Sequence, residues 1–392
     1  MGLKANLIFW ARQFPFVLPK RIIPSCADWI AQQKDRKGIY FAQRGPWVKT
    51  IFEAGFFQHD EPKTLGTPNE KAFYSNRNYP TEKASLFYLQ NTYLLGNMGL
   101  VLTADHRVFQ EFSHNFGIST LRKFLLKKPF YTFSRKAQRM KGNGAVLVSP
   151  ESHNYYHWLN DVLPRIKIYE SVLDQIDYFC ISSKVPVKFL DVLSDFGITK
   201  EKILLINDNE KLHFDNLFVS SLPGSEGRSP QWAVDYVRQK LIKADLPVNP
   251  SKKLYFKRGD STNRKIINED SIIKSLRNNG FEIIEPGNLS IYRQIDLMQE
   301  TKLVISAHGA ALSNLLFSQD NISVIEIFSS DYFRTDCYYT LSSARELNYW
   351  YIVGDKFPGE KWGDIIVPEE LLLKTIKRVD SQSENNAKNN SC

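Results

Sequence analysis

Residues 252–330 alternate short apolar runs with longer segments of helical spacing, and this alternation restricts the possible folds more than any other feature of the chain. Between the runs, Asn268 and Ser290 are suitable helix starts and Gly280 is a suitable helix end. Strands that alternate with helices favour a parallel sheet, because each parallel connection has helical length. We therefore predict an α/β fold. The strands predicted in this part are residues 254–257, 281–284, 303–306 and 323–327.

A similar series precedes it, and a turn-rich linker at residues 222–227 separates the two. Two such series predict two Rossmann-like domains that face each other across a cleft. A small β-hairpin around residues 96–99 decorates the first domain. The strands of the first series are predicted at residues 145–149, 177–181, 202–206 and 217–220. The predicted parts are an amphipathic basic and aromatic arm at 1–50, an N-terminal domain at 51–224, a C-terminal domain at 225–365, and a C-terminal helix with a disordered tail at 366–392.

The stretch from residue 306 to residue 314 follows a predicted strand and opens directly into a predicted helix. Such a turn points backbone N–H groups and the positive end of the helix towards whatever lies above it, which is typical of an anion-binding site. It lacks the Gly-Lys-Ser/Thr of a phosphate-binding loop and the three glycines of a dinucleotide-binding loop. Taken alone, it is equally consistent with a tight turn in an α/β core.

A second stretch of unusual polar residues lies in the first series. His153, His157 and Asp161 are spaced by four residues, so a helix would align them on one face. In both series the polar residues come directly after a strand, which is where open α/β sheets bind ligands. The first cluster therefore resembles an acid/base site. The second, in which Lys257, Arg258, Arg264 and Lys265 join the anion-binding turn, resembles a diphosphate site.

The composition fits a globular protein of two domains, with 392 residues, 43% of them hydrophobic and 24% charged. The cysteines have no paired spacing, which argues against a disulfide framework and a Cys-based zinc site. The sequence contains no run of eighteen apolar residues and no recognisable signal peptide. We therefore expect a cytoplasmic protein. Peripheral attachment to the inner face of the membrane is a second expectation, which rests on the distribution of charge.

The net charge of +9 is concentrated in the N-terminal half. Residues 1–50 contain nine basic and two acidic residues, and residues 112–150 contain eight basic residues and no acidic one. Aromatic side chains are interleaved with these charges, a mixture that suits an anionic membrane surface or an acidic acceptor. The alternative is a solvated basic face. The sequence has no recognised nucleic-acid-binding motif, so we expect no nucleic-acid partner.

Residues 157–165, His-Trp-Leu-Asn-Asp-Val-Leu-Pro-Arg, resemble the His-Trp-x-x-Asp-x-x-Pro-Arg pattern of family 61 glycosyltransferases. Residues 254–258, 263–269 and 307–317, followed by Val-Ile-Glu at 324–326, are similar to that family as well. The resemblance extends over residues 85–330. One departure is Ala311, where the common pattern has glycine.

This resemblance implies a GT-B architecture, with the N-terminal domain on the acceptor side and the C-terminal domain binding a nucleotide sugar. It implies inverting transfer of a hexosyl or pentosyl group from a nucleotide diphosphate donor, expected to be a UDP-sugar, to a hydroxyl of a glycan or lipid-linked glycan. Bacterial relatives suggest a role in capsule or lipopolysaccharide synthesis. No cofactor or metal is expected, because arginines and a helix N-terminus supply the positive charge that the departing diphosphate needs.

The resemblance also assigns roles to residues. Asp161 is expected to be the general base, with His157 orienting it or binding the acceptor. The expected donor-binding residues are Lys257, Arg258, Arg264, His308, Gly309, Ala310, Asn314 and Glu326. The expected acceptor-binding residues are His153, Trp158 and Arg165.

Two alternative functions remain open from the sequence. Two imidazoles and a carboxylate on one helix face, His153, His157 and Asp161, would also bind zinc in a metal-dependent hydrolase, although no His-Glu-x-x-His motif occurs. The basic segments at 1–50 and 112–150 would also suit a non-catalytic scaffold at a membrane surface.

Overall fold

A computed structural model describes residues 22–34, 45–112, 136–224, 227–243, 249–259, 264–357 and 363–389, with side chains up to residue 382. The chain has a mixed α/β fold, as the alternation of strands and helices predicts. It forms two compact units, one from the described residues of 1–55 and 82–225 and one from those of 56–81 and 226–392. The division after residue 225 falls within the predicted linker at 222–227, whereas residues 56–81, predicted to be part of the first domain, belong to the second unit.

The strands of the described residues are β1 (Ile22–Ile23), β2 (Trp47–Phe52), β3 (Gly55–Gln58), β4 (Asn78–Thr81), β5 (Ala84–Leu95), β6 (Leu100–Leu102), β7 (Val108–Phe109), β8 (Gln138–Val146), β9 (Tyr178–Ser182), β10 (Ile203–Ile206), β11 (Lys211–Ser220), β12 (Lys252–Phe256), β13 (Phe281–Ile284), β14 (Thr301–Ala307), β15 (Ser323–Ser329), β16 (Asn348–Lys356) and β17 (Ile365–Ile366). The α-helices are Glu70–Arg77, Tyr155–His157, Arg165–Tyr169, Val187–Leu190, Gln231–Leu241, Glu269–Asn278, Ile291–Gln299, Tyr338–Ala344 and Glu369–Asn389, and residues 26–34 are also helical. Shorter helical turns are Glu170–Gln175, Asp191–Phe196, Lys200–Lys202, Pro286–Asn288 and Ala310–Phe317, which are 3₁₀, and Trp158–Val162, which is π-helical.

The first unit contains one mixed sheet in the order β1-β7-β6-β5-β11-β8-β9-β10, with β2 also paired to β5. The neighbours β11, β8, β9 and β10 run parallel, and β5 is antiparallel to β11 and β6. The predicted hairpin is present as β5 and β6. It is not a decoration, however, because β5 pairs with β11 from Leu86 to Leu95 and lies in the middle of the sheet. Apolar residues of these strands form the core of this unit.

The N-terminal arm is predicted to lie outside the domains, whereas its described part, which includes the helix at residues 26–34, belongs to the first unit. Ile23, Cys26 and Ile30 are buried in the core of the first sheet. Residues 1–21, 35–44 and 113–135, which carry most of the basic charge in the predicted membrane-binding segments, lie outside the described residues. In the part of the chain that is described, no helix has both the length and the apolar composition needed to cross a bilayer.

The second unit contains a sheet in the order β13-β12-β14-β15-β16-β17, in which the first five strands are parallel. Numbered by their order along the chain, these five strands are arranged 2-1-3-4-5, the order of flavodoxin-type sheets. In such sheets ligands bind beyond the carboxyl ends of the strands, at the point where the strand order reverses. Here that point lies between β12 and β14. The segments that begin with Lys257 and His308 follow these two strands directly.

The C-terminal helix covers this sheet through apolar residues that include Leu372, Ile376 and Val379. It runs to Asn389, into the stretch predicted to be a disordered tail. Packing of its first half stabilises a helix that the polar sequence beyond residue 380 does not predict.

Residues 56–81 join the second unit through its sheet edge and an aromatic cluster. The Lys63 N–H donates to the Tyr349 carbonyl (3.0 Å), and the Tyr351 N–H donates to the Lys63 carbonyl (2.9 Å). The Phe73 ring lies 5.1 Å from that of Tyr339 and 4.9 Å from that of Tyr351, measured between centroids. The polar, turn-rich sequence of this segment carries no local sign of these distant partners.

His59 generates a prediction about stability. Its ring is buried, with Nδ1 2.5 Å from Ser343 Oγ and Nε2 3.4 Å from Tyr79 Oη. Burial lowers the pKa of His59 from 6.5 to about 4, although Asp60 opposes this shift. Between these values the unfolded chain binds a proton that the folded chain does not, so the free energy of unfolding should fall by about 3 kcal/mol as pH drops from 6.5 to 4.

Urea unfolding at a series of pH values measures this loss. His59→Gln should reduce the dependence on pH, whereas His213→Gln, which changes a more exposed histidine of the first unit, should not. Equal pH dependence in the wild type and His59→Gln would contradict this account of His59.

Candidate functional site

The turn after β14 brings together the anion-binding features predicted in the second unit. The His308 N–H continues the sheet by donating to the Ile327 carbonyl (2.9 Å), and the 3₁₀ helix begins at Ala310. Arg258, which follows β12, donates from Nη1 to the His308 carbonyl (2.9 Å). A guanidinium group and a helix N-terminus therefore lie together where the strand order reverses.

Gly309 allows this close approach. A Cβ atom at this position would lie 1.6 Å from Arg258 Nη1 and 2.9 Å from its Cζ, so any larger residue would displace the guanidinium. Ala310 and Ala311 are partly exposed, unlike the buried residues from Leu312 to Phe317. The N–H groups of Ala310 and Ala311, the first two residues of the helix, have no acceptor within the helix itself. The start of the helix is thus the part that an anion can reach.

His308 is held by a buried carboxylate. Glu326 Oε1 lies 2.5 Å from His308 Nδ1, and Tyr349 Oη donates to Glu326 Oε2 (2.6 Å). Glu326 is 0% exposed and both of its oxygens have partners, so the predicted contact of Glu326 with a ribose hydroxyl does not fit the structure. An ionised carboxylate only accepts hydrogen bonds, so His308 Nδ1 donates the hydrogen bond to Glu326. His308 Nε2 lies on the side of the imidazole ring that faces away from this bond.

Lys257, Arg264 and Asn314 are also predicted to bind the donor, and the structure places them in different surroundings. Arg264 lies over the Tyr332 ring (5.0 Å from Cζ to the centroid), and that ring meets the His308 ring edge-on at 5.5 Å. Arg264 therefore belongs to the surroundings of His308. Lys257 Nζ instead lies 3.7 Å from Glu285 Oε1 in a partly exposed ion pair, which does not indicate an anion contact.

Asn314 has a structural role rather than the predicted contact with a donor. Its side chain is 0% exposed and donates from Nδ2 to Gln294 Oε1 (2.7 Å) and to the Ala311 carbonyl (2.9 Å). These bonds attach the 3₁₀ helix to the helix Ile291–Gln299. The amide thus fixes the position of the turn without presenting polar atoms to a ligand.

The other end of the 3₁₀ helix is stabilised by a residue that the sequence did not indicate. Arg238 Nη1 donates to the carbonyls of Leu316 (2.5 Å) and Ser318 (2.8 Å). Burial, together with the charge of Arg345, lowers the pKa of Arg238 to about 10. A cation at the C-terminal end complements the helix dipole and leaves the N-terminal end available for an anion. No sequence motif connects Arg238 with residues nearly eighty positions away.

In the first unit, His157 and Asp161 form a close pair. His157 Nδ1 lies 2.5 Å from Asp161 Oδ2. His157 ends the short helix Tyr155–His157, whose N-cap Asn154 accepts a hydrogen bond from the Tyr156 N–H (2.9 Å). Asp161 lies in the π-helical turn that follows. Such turns are frequent at functional sites because they alter the direction of side chains.

His153 does not join this pair on a helix face. It is exposed and lies in a turn before the N-cap Asn154, so the predicted stripe of three residues is absent. This removes the geometric basis for the zinc-dependent alternative. Among the described residues, no group of three or more His, Cys, Asp and Glu side chains is arranged to hold a metal ion.

Trp158 and Arg165, both predicted to contact an acceptor, are parts of the core. Trp158 is 0% exposed and stacks on Phe189. Arg165 donates from Nε to Ser220 Oγ (2.7 Å) and from Nη2 to the Val146 carbonyl (2.5 Å), so it ties its helix to the ends of two strands. Burial lowers the pKa of Arg165, although Tyr169 and Asp161 oppose the shift. These positions explain the motif by packing rather than by contact with a substrate.

A part of the chain that contains both the His157–Asp161 pair and the turn after β14 is similar to a known protein family. Residues 155–325 match the model of the family glycosyltransferase 61. The chain is also similar to the EGF domain-specific O-linked N-acetylglucosamine transferase of Mus musculus, with 30% identity over 105 residues. That match covers 25% of this chain and 20% of the mouse protein. Both similarities support glycosyl transfer and the resemblance to family 61 glycosyltransferases.

The contact between Arg258 and Gly309 predicts the effect of one added methyl group. Gly309→Ala should displace the guanidinium and weaken the binding of inorganic pyrophosphate about tenfold or more, the value of one charge-assisted hydrogen bond. Isothermal titration calorimetry measures this. Gly66→Ala is the matched control, because its nearest neighbour is the tip of Leu371 at 3.3 Å. Equal pyrophosphate affinity in the wild type and Gly309→Ala would show that this turn is not an anion site.

Proposed function

We propose that the protein is an inverting glycosyltransferase that moves a sugar from a nucleoside diphosphate donor to a hydroxyl group of a glycan acceptor. The observation that carries this proposal is the placement of Arg258 against Gly309 and the start of the 3₁₀ helix, at the reversal point of the second sheet. The matches to glycosyltransferases support the reaction class.

The donor diphosphate binds at this turn in the proposed reaction. As the bond between the sugar and the diphosphate breaks, negative charge develops on the departing oxygen. Arg258, the N–H groups of Ala310 and Ala311, and Arg264 stabilise that charge, and the Glu326 carboxylate fixes the orientation of His308 beside them. These groups supply positive charge from the protein, and we therefore propose a reaction that is independent of metal ions and cofactors.

The acceptor hydroxyl is activated by the His157–Asp161 pair. An inverting reaction needs a base on the face of the sugar opposite to the leaving group, because the attacking oxygen loses its proton as the new bond forms. An imidazole and a carboxylate 2.5 Å apart can accept and hold that proton. The proposal includes a GT-B architecture, as the resemblance to family 61 glycosyltransferases implies.

The finer assignments are also proposals. The name of the mouse relative includes N-acetylglucosamine, so UDP-N-acetylglucosamine is the first donor to test. We propose a cytoplasmic enzyme of surface polysaccharide synthesis, acting on a glycan or lipid-linked glycan. The basic residues of 1–50 and 112–150 would then favour an anionic membrane surface.

The donor-binding role of Arg258 is tested by UDP binding and by UDP release from a panel of UDP-sugars. The wild type should bind UDP and release it slowly from at least one UDP-sugar. Arg258→Gln should weaken UDP binding by about tenfold or more, because a charge-assisted bond to phosphate is lost. Arg139→Gln, which changes an exposed arginine paired with Asp215, should bind UDP like the wild type.

Isothermal titration calorimetry measures UDP binding, and a coupled enzymatic assay measures UDP release. If the wild type neither binds UDP nor releases it from any sugar of the panel, UDP-sugars are not the donors. If it also fails to bind the other nucleoside diphosphates, the proposed function is wrong.

A further inference from the structure

We infer that the imidazole of His157, rather than the carboxylate of Asp161, takes the proton from the acceptor hydroxyl, and that Asp161 is a positioning residue. The inference rests on the proposed glycosyl transfer and deepens it by assigning the proton to one atom, His157 Nε2. The family motif suggests the carboxylate as the base, and the geometry of the pair points to the imidazole.

The contact between the two side chains fixes which nitrogen carries the proton. His157 Nδ1 lies 2.5 Å from Asp161 Oδ2, a distance typical of a strong charge-assisted hydrogen bond. The ionised carboxylate is an acceptor only, so the proton of this bond belongs to Nδ1. In the neutral imidazole the lone pair is then on Nε2, which is the atom able to accept another proton.

The two side chains also differ in how accessible they are. The His157 side chain is 23% exposed and that of Asp161 is 12% exposed. All five residues of the π-helical turn Trp158–Val162, including Asp161, are buried, whereas His157 lies just before this turn. An acceptor approaching the pair therefore meets the imidazole more readily than the carboxylate.

The backbone around the pair is held from several directions. The Leu163 N–H donates to the Trp158 carbonyl (3.0 Å), the bond that closes the π-helical turn, and Trp158 is fixed in the core. Asn160 Nδ2 donates to the Tyr156 carbonyl (3.0 Å). The buried guanidinium of Arg165 interacts electrostatically with Asp161 and keeps a positive charge near the carboxylate. A base held in this way needs little reorganisation during the reaction.

The proposed step balances without any further reactant. The acceptor O–H bond breaks, its proton moves to His157 Nε2, and its oxygen forms the new bond to the anomeric carbon. The bond from that carbon to the diphosphate breaks at the same centre, and its electron pair leaves with the diphosphate. His157 becomes an imidazolium whose Nδ1–H remains bonded to Asp161, and it returns the proton to solvent after the products leave. The carboxylate stabilises the imidazolium, as in hydrolase triads.

The test is the pH dependence of UDP release from UDP-N-acetylglucosamine, or from the most active sugar of the panel, with water as acceptor. A general base requires the wild-type kcat to fall at acidic pH, because the base cannot accept the acceptor's proton once it is itself protonated. His157→Gln should lower kcat about a hundredfold or more, remove this acidic limb and change KM little. His213→Gln and Asp215→Asn, which alter a histidine and an aspartate elsewhere in the first unit, should keep the wild-type profile.

Chemical rescue separates the proton acceptor from the residue that positions it. Added imidazole should restore UDP release to His157→Gly in proportion to its concentration. Asp161→Glu should keep more activity than Asp161→Asn, because it can still accept the Nδ1–H bond. Thermal unfolding of each variant shows whether it is folded. If Asp161→Gly or Asp161→Asn does not fold, Asp161→Glu is used instead to test the role of the carboxylate.

The possible failures are distinct. If His157→Gln keeps a near-normal kcat and the acidic limb, while formate rescues Asp161→Gly, the base is Asp161 and this inference alone is overturned. If the wild type releases UDP from no sugar and binds no nucleoside diphosphate, the proposed function fails and the inference fails with it.

Discussion

The buried carboxylate of Glu326 is the constraint on which the second unit depends. A carboxylate with no exposure must be paired, and here β14 and β16 provide the partners through His308 and Tyr349. Three neighbouring strands are thereby joined by one charged group. The turn that carries Gly309 begins one residue after this connection, so its position is set by the core rather than by a flexible loop.

The rest of the proposed donor site is arranged around that point. Arg258 lies against the backbone because Gly309 has no side chain, and Asn314 and Arg238 attach the 3₁₀ helix along its length. The first unit uses a related device in which a carboxylate holds Nδ1 of an imidazole, His157, at the same distance. The two pairs differ in exposure, which suits a structural role for Glu326 and a chemical role for His157.

Much of this arrangement could be predicted from the sequence. The alternation of strands and helices gave the α/β fold, and the spacing of polar residues after strands identified Arg258, His308 and the His157–Asp161 pair. Spacing could not show which polar atoms of a motif face inwards. Trp158, Arg165, Asn314 and Glu326 are therefore in the predicted places but have packing roles. The prediction that His153 shares a helix face with His157 and Asp161 also assumes one regular helix, whereas the helix begins only after Asn154.

The contacts that sequence reasoning missed are between residues far apart in the chain. Residues 56–81 add to the edge at β16 through backbone bonds, which depend little on side-chain identity. Tyr349 and Arg238 act on atoms more than twenty positions away, and no local pattern marks them. The assignment of such roles requires the fold itself.

The stereochemistry of the released sugar tests the central claim most directly. UDP-N-acetylglucosamine carries its sugar in the α configuration, and an inverting enzyme that uses water as acceptor must first release the β anomer. Proton NMR spectra recorded before mutarotation distinguish the two anomers. Early β-N-acetylglucosamine together with UDP is the predicted result. Early α anomer, or release of UMP and sugar 1-phosphate, would contradict inverting glycosyl transfer.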